Sequence, residues 1–461
     1  YILSLVGGLI ADRTQNYKKT IITGIIVMAV GYALLSIPVF SAGGGMGWPF
    51  VLAMIALLLI ACGNGLFKGN LQAIVGQLYD DFEAEAAKKG PEALAQAKEK
   101  RDSGFQIFYV FINIGGVIAP FVAPIIRDWW LKTKDLVYNA DLPRLCHKFL
   151  MGTAEGNDMD NLTALSQNFS GASENLAGFC QNYLQVYNTG VHYSFIVSVL
   201  AMLISLFIFL AVKHRLPNPV KKEKAGVQEY TEAERLADAK EIKQRMAALY
   251  AVLGIAVFFW FSFHQNGQSL SFFARDFVKT DAIAPEIWQA VNPLFVIVLT
   301  PVIMWIFSQF TKHGNPISTP RKIAYGMGIA GIAYLFLAVF SIAENYPSAE
   351  VFTAMPDSVK AGLKAGPWVL ILTYFFLTVA ELFISPLGLA FVSKVAPKHL
   401  QGLCQGLWLG ATAVGNLMLW VGPLMYNKWS IWECWAVFFA VCIVSMGIML
   451  GMVRWLERVT K

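Results

Sequence analysis

The sequence predicts an all-α membrane protein built as two helix bundles. Three observations carry this. Of 461 residues, 56% are hydrophobic and only 14% are charged, where a soluble domain holds about 25% charged residues. Apolar runs of about 20 residues, the length that crosses a bilayer, recur along the chain. One highly charged stretch, 213–245, separates these runs into two sets.

Read in order, the spans are 1–11, 20–40, 49–79, 103–126, 188–212, 246–274, 287–310, 321–343, 366–393, 402–426 and 431–455. The first is cut: the chain opens inside an apolar run, YILSLVGGLI, so further residues are expected before Tyr1. About eleven spans are present, with one more expected ahead of them. They divide into an N-terminal bundle over 1–212, a linker over 213–245 and a C-terminal bundle over 246–461. A weak internal repeat supports the division. Lys19-Thr-Ile-Ile-Thr-Gly24, then Tyr32, aligns at constant offset with Arg321-Lys-Ile-Ala-Tyr-Gly326, then Tyr334. Parallel repeats of six spans each are the plan of major-facilitator transporters.

The loops at 12–19, 80–102, 213–245, 311–322 and 394–401, with the tail after Val453, carry most of the 36 Lys and Arg residues. The positive-inside rule places them in the cytoplasm. The net charge of +6 is spread over short loops and carries no nucleic-acid signal. Segment 81–102, rich in Ala, Glu and Lys, reads as a solvated helical extension with no chemistry of its own.

On the opposite side, 128–187 is a polar, Asn-rich insertion holding Cys146 and Cys180. A disulfide between these two and a pair of separate thiols both fit the sequence. The other four cysteines lie in apolar spans and read as packing residues. Asn161-Leu-Thr163 and Asn168-Phe-Ser170 match the glycosylation pattern, which matters only in a pathway that glycosylates. No HExxH, P-loop, CxxC pair or nucleophile elbow occurs. An enzyme has no foothold here, and neither a metal nor a cofactor is expected.

Three ionisable residues fall within spans: Lys68, His264 and Glu381. A charge at the centre of a membrane helix costs about 2.5–3.5 kcal/mol on insertion scales. Lys68 lies about 7 Å to the cytoplasmic side of the middle of its long span, at 1.5 Å per residue. Snorkelling to the interface is therefore one reading. The other is a polar lining with close helix packing, which the neighbouring Gly63, Gly65, Gly69, Asn64 and Asn70 favour. Glu381 sits mid-span, where an isolated carboxylate is protonated or paired. Ser385, Pro386 and Gly388 follow it, and a mid-span proline marks a helix that bends or lines a cavity.

Several motifs then align in order along nearly the whole chain. They are Gly63-Asn-Gly-Leu-Phe-Lys68-Gly-Asn70, Phe108-Tyr-Val-Phe-Ile-Asn113-Ile-Gly115, Asn292-Pro293-Leu-Phe295, Glu381-Leu-Phe-Ile-Ser385-Pro386-Leu-Gly388 and Gly406-Leu-Trp408-Leu-Gly-Ala-Thr412-Ala-Val-Gly415-Asn416. Together they resemble the proton-dependent oligopeptide transporter family of the major facilitator superfamily. Gly7-Gly8-Leu-Ile-Ala11-Asp12-Arg13 resembles the superfamily's general loop motif. The chain departs from the family at several points. The first span, with its Glu-x-x-Glu-Arg motif for proton coupling, is absent. Gly69 stands where a proline usually follows the lysine. His264 stands where the family usually has a carboxylate. The linker is too short and polar for an extra pair of spans, and insertion 128–187 has no counterpart in the core pattern.

The resemblance implies import of di- and tripeptides by alternating access, driven by a proton gradient and without a cofactor. A zwitterionic peptide has a carboxylate at one end and an ammonium at the other. Lys68 and Glu381 are expected to hold those ends. Tyr109, Asn113, Asn292 and Ser385 are expected to bond the peptide, and Trp260 and Trp408 to wall side-chain pockets. Tyr1 falls where the family often has a cavity-facing tyrosine. Glu381, His264 and Lys68 are the expected proton-coupling groups, and Asp12 and Arg13 the cytoplasmic gate. His264 also fits a plain hydrogen bond between helices. Two other functions stay compatible with the residues: transport of another small anion or modified peptide, and ligand sensing by a transporter-like receptor. The expected location is the bacterial inner membrane, with the lipid bilayer as a partner.

Overall fold

The computed structural model describes residues 1–39, 47–169, 172, 174–217, 232–279 and 285–459. Part of the expected linker, 218–231, lies outside them, as does Ser170 of the second glycosylation pattern.

The described residues form seventeen α-helices: α1 (Leu3–Thr14), α2 (Tyr17–Leu35), α3 (Gly47–Lys89), α4 (Pro91–Lys132), α5 (Leu142–Leu150), α6 (Asn157–Ser166), α7 (Leu176–Val212), α8 (Glu232–Phe263), α9 (Ser269–Phe277), α10 (Pro285–Lys312), α11 (Thr319–Ala343), α12 (Ala349–Ala354), α13 (Asp357–Leu363), α14 (Trp368–Val395), α15 (Gln401–Leu417), α16 (Val421–Lys428) and α17 (Ile431–Val459). Among the described residues, ten helical segments are long and apolar enough to cross a membrane. With the short α1 they match the eleven expected spans. In a bilayer every backbone polar group must be satisfied internally, which is why the chain is helical throughout its apolar runs. The sole β-pairing among the described residues is one isolated bridge, Val278 to Ala365.

Two of the segments are broken. Ala239–Phe277 contains α8 and α9, interrupted by a 3-10 turn at His264–Gly267. Lys398–Lys428 contains α15 and α16, interrupted at Met418–Trp420. Neither break contains proline. By contrast α4, α10 and α14 keep their internal prolines within continuous helix.

The chain forms two compact units that do not follow the halves expected from chain order. The first combines Tyr1–Ile21, Gly65–Val117 and Lys213–Lys461; the second combines Ile22–Asn64 and Ile118–Val212. In the first unit α11 packs on α14 and α17, and α15 packs on α1 and α8. Tyr334, the repeat tyrosine of α11, is fully buried, stacks on Trp435 at 6.0 Å and donates its hydroxyl to the Ser262 carbonyl. Gly7 and Gly8 let α1 approach two backbones at once. A Cβ on Gly7 would lie 2.1 Å from the Gly65 carbonyl oxygen, and one on Gly8 would lie 2.3 Å from that of Gly402. Small residues at such crossings are how membrane helices gain packing contact.

In the second unit α5 packs on α6 and α7, forming a small helical cap with its own core. Tyr138, Tyr187 and Tyr183 stack in sequence, and Arg127 lies 3.4 Å over the Tyr138 ring. Lys148 and Arg144 bind Asp158 and hold its carboxyl below the usual carboxylate range. The insertion is therefore a folded module. Buried Cys146 and Cys180 lie within hydrogen-bonding reach of each other as free thiols. The sequence left a bridge and two separate thiols open, and this adjacency is compatible with either.

Candidate functional site

Lys68, Tyr109, Asn113, Trp260, His264, Asn292, Glu381, Ser385, Trp408 and Tyr1 all belong to the first unit. They fall into three groups. The first is built on Lys68, half-buried on α3. Its ammonium donates to the Tyr1 hydroxyl at 3.2 Å and lies 4.4 Å from that ring's centre. No carboxylate among the described residues pairs with it.

The second group is built on Glu381 of α14, which is 6% exposed. The Tyr109 hydroxyl of α4 donates to Oε1, and the Asn292 amide of α10 donates to Oε2 at 2.8 Å. Asn292 also donates to the Thr378 hydroxyl, at 3.0 Å, which fixes the orientation of its amide. Thus three helices meet on one carboxylate through neutral donors, and no cation among the described residues pairs with it. Ser385, one turn further along α14, is buried. Asn113 is held by its own helix, donating to the Tyr109 carbonyl at 2.9 Å, and does not reach Glu381 by a direct bond.

The third group joins the two helix breaks. His264 faces Asn416 of α15, Nδ1 to Oδ1, at 2.6 Å. Its ring stacks on Trp260 at 5.0 Å, and Trp260 meets Trp408 edge-on at 6.4 Å. Trp408 is buried and lies directly over Gly388, so it is a packing residue. A 330 Å³ cavity is lined by Tyr1, Ile2, Leu3, Ala413, Asn416 and Leu417. It thus borders the partner of Lys68 and the partner of His264.

Asp12 sits at the N-terminus of α15. Its carboxylate accepts the backbone N–H groups of Gly402 at 2.9 Å and Leu403 at 2.7 Å, and the Tyr17 hydroxyl. Unsatisfied N–H groups at a helix start favour an anion there. Arg13 is exposed and forms no ion pair among the described residues.

A larger polar cluster has no counterpart among the sequence expectations. Asp102 of α4, 3% exposed, accepts from Lys394 of α14 at 2.6 Å and from Lys322 of α11 at 3.2 Å. Thr319 bonds both Asp102 and Lys394, and Glu99 pairs with Lys322 at 3.2 Å. Arg101 pairs with Asp80 and Glu83 and donates to the Ser393 hydroxyl at 3.0 Å. Segment 81–102 is helical as expected, but its last two residues are buried rather than solvated. Lys322 and Lys394 counted as ordinary cytoplasmic charges in the sequence. Thr378 was also missed, since a threonine in a span has no distinctive spacing, and Asn416, though the last residue of a motif, had no role assigned to it.

Ten membrane-length helical segments among the described residues, with the shorter α1, form a polytopic membrane protein of the major-facilitator fold. The family model described as PTR2, POT family, matches residues 18–234 and 221–431. The chain belongs to that family of peptide transporters and is an integral protein of the bacterial inner membrane. Among known proteins it is 28% identical over 436 residues to dipeptide and tripeptide permease B of Edwardsiella piscicida, covering 91% of this chain and 75% of that one. It is 26% identical to dipeptide and tripeptide permease B of Salmonella typhimurium, with the same coverage. Among solved structures it resembles the peptide transporter POT in complex with sulfate, with a TM-score of 0.53 and 20% identity over 100% of this chain and 84% of that one. A POT family transporter in complex with 5-aminolevulinic acid matches with a TM-score of 0.54 and 19% identity, covering 100% of this chain and 86% of that one.

Proposed function

We propose that this transporter is a symporter importing di- and tripeptides together with protons by alternating access. The observation that carries this reading is a pair of ionisable groups of opposite sign, neither matched by an ion partner among the described residues. Among the described residues Lys68 bonds a tyrosine, and Glu381 bonds a tyrosine and an asparagine. Buried charges left without a counter-charge are costly, so each gains most from a ligand that supplies one. A zwitterionic peptide supplies both, its carboxylate to Lys68 and its ammonium to Glu381. Tyr109 and Asn292 hold Glu381 in place, and Trp260 and Trp408 wall the space for side chains.

Proton coupling belongs to the same residues. Glu381 takes a proton when no ammonium faces it, because a buried lone carboxylate favours its neutral form. His264 is the second titratable group. The driving force is the proton gradient, and no cofactor takes part. The test is uptake of labelled dialanine into proteoliposomes with an acidic exterior. Accumulation that collapses when a protonophore dissipates the gradient is the expected result. Uptake indifferent to the gradient removes the coupling, and absence of any peptide uptake removes the substrate class.

A further inference from the structure

We propose that Asn416 is a positioning residue for transport: its side-chain oxygen, 2.6 Å from Nδ1 of His264, fixes the imidazole so that Nε2 is the atom that takes up and returns a proton. The inference rests on the transport reading above.

An amide oxygen only accepts hydrogen bonds. The nitrogen facing it must therefore carry hydrogen, which makes the neutral ring the Nδ1–H tautomer and leaves the lone pair on Nε2. The ring plane is fixed independently. Trp260 stacks on it with 19° between planes, and Phe263 meets it edge-on at 5.5 Å. The ring can thus neither tilt freely nor exchange its two nitrogens without giving up the Asn416 bond.

The chain locates this pair at two helix breaks. His264 opens the 3-10 turn after α8, and Asn416 is the second-last residue of α15. A second bond ties the same two breaks: the Gln265 amide donates to the Leu419 carbonyl at 3.3 Å. The Ser269 hydroxyl donates to Gln265 Oε1 at 2.7 Å, which sets the direction of that amide. Interrupted helices in transporters present polar groups at the substrate site. Asn416 also lines the cavity shared with Tyr1.

The groups packed against the ring are Trp260 and Phe263 from α8 and Asn416 from α15, all uncharged. The charged group whose field reaches it is Lys68 of α3. Protonation adds one proton to Nε2 and leaves the Nδ1–H bond to Asn416 unchanged. The ring therefore passes from hydrogen-bond acceptor to cationic donor without turning. A carboxylate would pass from anion to neutral at the same place, so the histidine reverses which state attracts a peptide carboxylate.

The test joins spectroscopy and transport. Long-range proton–nitrogen spectra of imidazole-labelled protein in nanodiscs identify His264 by the signal lost in His264→Gln. At alkaline pH, Nδ1 should be protonated and Nε2 bare. Dialanine uptake between pH 5 and 8 should then respond in opposite directions. Asn416→Asp adds a negative charge beside the ring and should move the pH midpoint up by about one unit. Asn416→Leu removes the acceptor and should move it down, with about a tenfold loss in apparent affinity. An Nε2–H tautomer in the wild type overturns the proposal, as does a wild-type pH midpoint in Asn416→Asp. If Asn416→Leu fails to fold, the wild-type spectrum and Asn416→Asp decide. Wild-type protein that carries no peptide overturns the transport reading and this role with it, and is distinguished because the variants are then irrelevant to the failure.

Discussion

Lys394 and Asp102, 292 positions apart in the chain, meet at 2.6 Å in a buried ion pair. Lys322, 1% exposed, binds the other oxygen of the same carboxylate. One aspartate thus ties α4 to α11 and α14. Under the alternating access proposed above, these pairs are expected to part during the transport cycle.

Asp102→Asn should leave two buried ammonium groups short of charge. Breaking a buried pair in this way costs about 3–5 kcal/mol. Thermal unfolding in detergent should show a clear loss of stability. Combining Asp102→Leu with Lys322→Met and Lys394→Met should restore much of it, while slowing or abolishing uptake. Equal stability of the wild type and Asp102→Asn would show that the cluster is not a latch.

Lys68→Ala and Glu381→Gln should each abolish proton-driven dialanine uptake. In a low-dielectric cavity the lost counter-charge is not replaced by solvent. Exchange of peptide without a gradient can survive in one of the two, because binding and coupling are separable. Wild-type accumulation by either variant would remove that residue from the charge clamp.

Gly8→Val should destabilise the fold and stop transport, since even a Cβ there would meet the Gly402 carbonyl 2.3 Å away. Overpacking commonly costs about 1–3 kcal/mol, and here the obstacle is backbone rather than a yielding side chain. Expression level and thermal unfolding measure it. A variant that folds and transports normally would mean that α1 stands off from α15 in the working protein.

Protein purified from an oxidising compartment should yield one linked peptide containing Cys146 and Cys180 in a non-reducing digest, because the thiols already face each other. Mass spectrometry before and after reduction reads this. Deleting 135–180 should leave most uptake intact, since surface insertions tolerate removal better than the elements that carry them. Loss of transport with normal membrane expression would make the cap part of the pathway.

The spans were legible because lipid imposes a length and a composition on every one of them. Lys68 and Glu381 were legible for the related reason that a charge in such a span stands out. The helix breaks were not. Met418–Trp420 is apolar and without proline; His264–Gly267 is polar and ends in an Asn-Gly pair, a turn signal that the expected span 246–274 ran through, and the bonds that hold the backbone there join Gln265, Ser269 and Leu419 across the two helices. That information is tertiary. The same holds for Asp102, Lys322 and Lys394, which look like loop charges until distant segments bring them together. Asn113 carries a bond that its motif position does not reveal: its amide donates to the Tyr109 carbonyl within its own helix.

The contacts of Gly7 and Gly8 with Gly65 and Gly402 have a mechanical consequence. Where side chains separate two helices, rotamer changes let them slide or splay by small steps. Here backbone rests on backbone, and no flexible atom lies between to absorb a displacement. The crossing of α1 with α3 and α15 is therefore a stiff bearing. Motion at this point has to be a pivot about the glycines, with displacement growing along each helix away from them.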